Sequence, residues 1–175
     1  MSQSLSSAVQ AKCPGIIKEV IQFRGQETFV VEAAHVATLI GKLRDEFGFA
    51  MLLDIAGIDY LTYPKPQPTR FALAYVLRNW DTNTVVCVKV YVNDPQAGVP
   101  TVSTLFNCAN WAEREAFDQF GFIFIGHPNL KRILNHKDFV GHPLRKDYPI
   151  TRRHILAESD SLMDEMVQRL KEKGV

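Results

Sequence analysis

Apolar residues recur along this chain with two periods, and the change from one to the other marks out its elements. From Ile16 to Phe23 and from Thr28 to Val31 short β-like runs flank Arg24-Gly25-Gln26, a hairpin-like arrangement. The period then lengthens. His35, Val36, Leu39, Ile40, Leu43 and Phe47 fall at the three- and four-residue intervals of an amphipathic helix, which Gly48 is placed to stop. Met51–Ile58 reads as a buried strand, and the Pro64–Pro68 run as a stiff, exposed loop. Phe71–Leu77 and Val85–Val92 are rich in β-branched, aromatic and aliphatic residues and are joined through Asn79–Asn83, which predicts a second hairpin. Val86, Val88, Val90 and Val92 share one face of its second strand and Lys89 and Tyr91 the other, as in a sheet with one buried and one partly open face.

Beyond these strands, Pro100 is suited to a helix start, and the best-defined part of the predicted helix is Asn110–Phe120. Leu162, Met163, Met166, Val167 and Leu170 form the apolar stripe of a last helix, with Ser159 or Asp160 as its N-cap and Gly174 past its end. Such a stripe docks either on its own core or on a partner, and the pattern leaves both open. Strands and helices mix without regular βαβ alternation, so the predicted fold class is α+β.

Composition narrows the function classes. The 175 residues, 46% hydrophobic and 22% charged, have the proportions of a soluble globular chain, and a single core at this length needs no disulfide or structural metal. With 20 Lys+Arg against 19 Asp+Glu, the net charge of +1 gives no support for a bulk polyanion binder or an acidic tail. Cys13, Cys87 and Cys108 are far apart and include no Cys-x-x-Cys pair, which argues against a disulfide framework and against an iron–sulfur cluster held by this chain. Neither a Gly-x-Gly-x-x-Gly nor a Walker-type loop occurs, so a nucleotide site is not expected. No apolar run reaches the ~18–20 residues of a membrane span, and the N-terminal stretch lacks the apolar region of a secretory signal. The expected compartment is reducing and cytoplasmic.

Charge is concentrated where chemistry is most plausible. Glu113, Arg114, Glu115 and Asp118 crowd one and a half helical turns, with Arg114 and Asp118, and Glu115 and Asp118, each sharing a face. Three readings apply: a solvated face laced by local ion pairs, an anchoring site for a partner, or carboxylate metal ligands, the last lacking the Glu-x-x-His spacing. Gly-His-Pro then occurs twice, at Gly126-His127-Pro128 and Gly141-His142-Pro143. Each proline forces its histidine into extended backbone beside a permissive glycine, so both motifs are turns that display an imidazole. His127, His136, His142 and His154 lie near one another in sequence without the short spacings of zinc motifs, which favours turn-capping or interface hydrogen bonds over metal ligation. From Lys131 to Arg153 the local balance is +5, against −4 for the rest of the chain. An irregular, proline-rich segment of that charge reads as a basic arm laid over another surface.

The block EREAFDQFGFIFIGHPNLKRIL followed by FVGHPLRKDYP resembles the signature of the 30 kDa subunit (the C subunit) of proton-translocating NADH-quinone oxidoreductase, respiratory complex I. The likeness is dense across Glu113–Pro149 and carries Glu113, Arg114, Glu115, Asp118, Gly126, His127, Pro128, Arg132, Gly141, His142, Pro143, Leu144, Arg145, Lys146, Asp147 and Tyr148 as subunit-interface candidates. Gln119 departs from the bulky apolar residue the family tends to place there, and the C-terminus looks shorter than in some relatives.

The resemblance implies a two-layer domain with a mixed β-sheet packed on helices, spanning residues 1–125, and a C-terminal extension, 126–175, that packs on partner subunits. It also implies a non-redox scaffold subunit of the peripheral arm. This chain would bind no cofactor and have no catalytic residue; FMN, iron–sulfur clusters and quinone would sit in partner subunits. The D subunit of the complex is the implied chief partner, with the B and I subunits nearby. Location would be peripheral, on the cytoplasmic face of the cell membrane, with membrane association only through the complex. An equivalent scaffold role in a membrane-bound hydrogenase or another quinone-reducing complex is the alternative. An RNA- or phosphate-binding arm is motivated only by the local +5 charge and lacks interleaved aromatic residues.

Overall fold

The computed structural model describes residues 4–151 and 157–172, with side chains in the last stretch from 165 onward. The two hairpins form as the pattern predicts. Strands β1 (Ile17–Phe23) and β2 (Gln26–Val31) are antiparallel, closed by Arg24 and Gly25 at φ 50° and 80°, the pair of left-handed residues that a tight hairpin turn requires. Helix α2 (Val36–Phe47) ends on Gly48 at φ 72° and follows a short helix, α1 (Leu5–Lys12), whose Val9 is fully buried and which the apolar pattern did not single out. Strands β3 (Met51–Asp59), β4 (Phe71–Asn79) and β5 (Thr84–Val92) form an antiparallel meander.

Because β2 pairs with β5 in parallel, the five strands form one mixed sheet in the order β1-β2-β5-β4-β3. Cross-strand pairs Leu73 with Val90, Tyr75 with Val88 and Leu77 with Val86 fill its buried face, against Val36, Leu39, Ile40 and Leu43 of α2. The opposite face carries Ala74 beside Lys89 and Ala72 beside Tyr91, half-exposed at Lys89 and Tyr91. This is the α+β class, a mixed sheet packed on helices.

Three expectations are corrected. Met51–Ile58 is a strand but not a buried one: β3 is an edge, with Met51 and Leu53 exposed around a bulge between Leu52 and Asp54. Pro100 opens no helix; it is the second residue of β6 (Val99–Pro100), which pairs in parallel with β7 (Phe124–Ile125). A helix N1 position and an edge strand both tolerate a residue without N–H, so proline marks either. Helix α3 (Ala109–Phe120) starts after the irregular Thr101–Cys108 segment. Finally, α4 (Ala157–Glu172) already includes residues 159 and 160, so neither Ser159 nor Asp160 is its N-cap. Met166, Val167 and Leu170 of its apolar stripe are exposed and do not dock on the core; the side chains at 162 and 163, and Gly174, lie outside the described residues.

Candidate functional site

Helix α3 is the base of the site, and its two buried carboxylates organise it. Neither Glu113 nor Asp118 has any exposed surface, so the solvated-face reading fails at both. Asp118 does not pair locally with Arg114. Its Oδ2 accepts three consecutive backbone N–H groups, from Ile133 at 3.1 Å, Leu134 at 2.9 Å and Asn135 at 2.8 Å, while Oδ1 accepts from Asn135 Nδ2 and from the Arg132 guanidinium. Burial opposes ionisation, but the Asn135 backbone and side chain and the Arg132 cation outweigh it and hold the carboxyl at about 2. Arg132 also donates to the carbonyls of Asp118 at 3.1 Å and Gly141 at 2.9 Å. One carboxylate thus gathers the chain at 132–135 and ties it to the last turn of α3.

Glu113 faces the opposite way, into the β6 side of the domain. It accepts from the Val102 N–H at 2.7 Å and from the Thr101 hydroxyl, with His127 Nε2 3.9 Å away. Burial, only partly opposed by these bonds, pushes its pKa up. Nearby, the Tyr75 hydroxyl is buried without a hydrogen-bond partner; burial first, then the Glu113 charge, raise its pKa. A carboxyl raised on folding favours the protein while it is protonated, and that favour fades as pH climbs from the unfolded value near ~4.3 through the folded one. Glu113→Gln keeps the shape and the acceptor and carries no charge. Urea unfolding should therefore place it within about 1 kcal/mol of the parent at pH 5 and no less stable at pH 8, whereas Glu113→Ala should lose about 3 kcal/mol at pH 5 and less than that at pH 8, where the parent has itself lost the favour. Equal losses in the two variants would contradict the assignment.

The two Gly-His-Pro turns are built into this frame by their imidazoles. His127 Nδ1 accepts from the Asn129 N–H at 3.0 Å, which fixes Nε2 as the donor to the Asn110 carbonyl at 3.2 Å. His142 Nδ1 donates to the Asp118 carbonyl at 3.0 Å, and burial lowers its pKa. Arg145 Nε donates to the Phe120 carbonyl at 2.6 Å with its guanidinium 5.3 Å over Phe71. Both side chains crowd Gly121, the left-handed cap of α3 at φ 85°, where an added Cβ would run into the Arg145 guanidinium and the His142 ring. His136 bonds back to the Asp138 N–H, and His154 lies outside the described residues with Arg152 and Arg153. Among the described residues no three His, Cys, Asp or Glu side chains converge as a metal site.

Asp59 escaped the sequence reading. Its side chain, fully buried at the end of β3, takes a bidentate pair from Arg70 at 3.1 and 3.0 Å, and accepts the N–H groups of Leu61 at 3.0 Å and Lys146 at 2.8 Å. Burial opposes its ionisation; Arg70 and the two backbone donors hold it below the usual carboxylate range. Arg70 reaches Asp147 as well, at 2.8 Å. An acid closing the apolar stretch Ile55–Ile58 was the available signal, since buried acids are nearly always paired.

The segment from Gly126 to Tyr148 is therefore strapped over α3 and the end of β3 by its polar atoms. Tyr148 stacks on Phe139 and closes over Gly141. Turned outward are Leu134, Val140, Leu144 and Ile150, with exposures of 63%, 58%, 49% and 98%. Lys131, Lys146 and Glu115 are exposed too, and Glu115 has no ion-pair partner among the described residues, while Arg114 donates to the Lys131 and Arg132 carbonyls and stacks on Trp111. The outward side of the arm therefore carries both large apolar and charged side chains.

A family model described as respiratory-chain NADH dehydrogenase, 30 Kd subunit, matches residues 29–154. Subunit 5 of the NADH-quinone oxidoreductase of Thermus thermophilus is 45% identical over 130 residues, which is 71% of this chain and 59% of that one. The C subunit of the same enzyme from Burkholderia mallei is 38% identical over 156 residues, 86% of this chain and 76% of its own length. Among solved structures, a trypsin-resistant fragment of Nqo5 superposes with a TM-score of 0.62 at 35% identity, covering 72% of this chain and 96% of the fragment. A chain of the membrane-bound sulfane sulfur reductase, an archaeal respiratory membrane complex, gives 0.70 at 25% identity, covering 84% and 85%. The match runs through the α3 carboxylates and both Gly-His-Pro turns, and the chain belongs to the family of the respiratory-chain NADH dehydrogenase 30 kDa subunit.

Proposed function

We propose that this chain is a non-redox scaffold subunit of the peripheral arm of a proton-translocating NADH:quinone oxidoreductase, itself non-catalytic, and that residues 126–175 form the extension that meets its partners. One observation carries the reading: the arm is bound to its own domain through buried polar groups while four of its large apolar side chains, Leu134, Val140, Leu144 and Ile150, face outward. Asp118, Arg132, His142 and Arg145 support that surface from beneath, and Glu113 lies on the other side of α3, against Thr101 and Val102. Leu144, Lys146 and Glu115 lie on it. The D subunit of the complex is the proposed chief partner, with the B and I subunits adjacent; FMN, iron–sulfur clusters and quinone belong to those other subunits, and electrons pass through them. The proposed location is the cytoplasmic face of the cell membrane, reached only through the complex, and no helix among the described residues is long and apolar enough to cross a membrane.

The double substitution Leu134→Asp, Val140→Asp tests this. Both side chains are exposed, so the free chain should keep its thermal midpoint, while membranes from cells carrying the variant should lose most assembled complex and most NADH-to-quinone turnover. Full turnover with the variant would refute the docking surface. The likeness to the sulfane sulfur reductase chain favours a second reading, the same scaffold role in a related respiratory complex such as a membrane-bound hydrogenase. Co-purifying subunits separate the two.

A further inference from the structure

Strand β3 ends the sheet and pairs with no strand but β4, so the backbone groups on its other side take no strand partner; of these the Ile55 N–H is held at 2.8 Å by the Asp54 carboxylate, a bond that an incoming strand would replace and so free that carboxylate. The two edges of the sheet are treated differently. β1 has a bulge between Ile17 and Glu19 and exposes Lys18, which is ion-paired to Glu32 at 2.7 Å, features that discourage another strand. β3 also has a bulge, but beyond it Asp54–Asp59 keeps unbroken register with β4 and includes no lysine, arginine or proline. Alongside runs a groove of about 190 Å³ whose floor is Asp54–Gly57 and whose walls are Glu115, Ala116, Phe120 and Leu144. Phe120 lies directly over Gly57, and this close approach lets α3 overhang the strand. Asp54 and Glu115 are exposed carboxylates on the groove, and neither has an ion-pair partner among the described residues.

Resting on the scaffold reading above, we propose that the free edge of β3 at Asp54–Gly57 receives an extended segment of a partner subunit as a sixth strand, with a basic side chain set against Asp54 and Glu115 and an apolar one against Phe120 and Leu144. Backbone pairing supplies the affinity in such strand addition, and the alternate side chains supply the specificity. The charge excludes the simplest competitor. Two copies of this chain joined edge to edge would bring Asp54 and Glu115 of each against the same carboxylates of the other, and like charges opposed across strands destabilise.

Backbone amide exchange on the full chain, free and within the complex purified from membranes through a tag on another subunit, tests the proposal. Alternate amides within 54–57 should slow at least tenfold on assembly, with those of β4 unchanged. A photo-crosslinker at position 54 should join one partner subunit, within an extended segment bearing Lys or Arg, and Glu115→Lys should weaken that crosslink several-fold without unfolding the chain. Unchanged exchange at 54–57 in an intact complex would overturn the edge proposal alone and leave the scaffold reading standing. A crosslink to a second copy or to α4 would overturn it too. Absence of the chain from the complex would overturn both.

Discussion

Asp118→Ala is expected to release the arm and to cost the free chain about 3–5 kcal/mol, the largest loss of any single side chain considered. The carboxylate is fully buried, and its removal strands three backbone N–H groups, the Asn135 amide and the Arg132 guanidinium in a site sealed from water. Removing one member of a buried charged network is costly because the groups left behind lose their compensation. Limited proteolysis should show new cleavage between residues 126 and 149, with the sheet still protected. The same carboxylate sets an acid limit. Its folded value of about 2 lies below the ~3.9 of an unfolded aspartate, so its contribution is complete above about pH 5 and is lost as pH falls through 2, about 2.5 kcal/mol in all. Asp118→Ala should flatten that part of the stability profile. An unaltered proteolytic pattern, or an unaltered acid slope, would contradict the role given to this residue.

Asp59→Ala should cost about 2–3 kcal/mol, less than Asp118→Ala because Arg70 keeps Asp147 as a partner. What it loses is the acceptor for the Lys146 N–H and the grip on the far end of the arm. Asp59 and Asp118 hold one strap at two points, around 146 and around 132–135. Once either end is free, the other has less left to hold. The double variant should then lose less than the two single losses combined, by about 1 kcal/mol or more in a urea double-mutant cycle. Strict additivity would mean that the arm does not dock as a unit.

How much of this could be read beforehand depended on whether the information was local. Both hairpins, α2 with its Gly48 cap, and most of α3 follow from periodicity and turn chemistry, because neighbouring residues decide them. The edge position of β3 and the parallel pairing of β2 with β5 do not, since they depend on where distant strands come to rest. The charges of α3 show the same limit. Helical spacing placed Arg114 and Asp118 on one face, and a local pair was the natural inference. Yet Asp118 is taken by Ile133, Leu134 and Asn135, whose backbone donors have no signature in a sequence. The histidines of the Gly-His-Pro turns lie in turns and hydrogen-bond as expected, but they are not displayed: the His127 side chain is fully buried and both rings point inward, to the Asn110 and Asp118 carbonyls, which emerged only with the fold. The final helix was foreseen by its stripe, and its exposed Met166, Val167 and Leu170 give no sign of docking on this chain's own core.

A scaffold of an NADH-oxidising respiratory complex, with redox chemistry supplied by its partners, should be recovered with those partners. Affinity purification of the tagged, full-length chain from mildly solubilised membranes, with quantitative mass spectrometry and a flavin and iron assay, tests it most directly. The expected result is stoichiometric recovery of the remaining NADH-quinone oxidoreductase subunits, with FMN and iron in that assembly and none on the chain purified alone. Recovery with hydrogenase or sulfur-reductase subunits in their place, or of a free chain with neither, would contradict it.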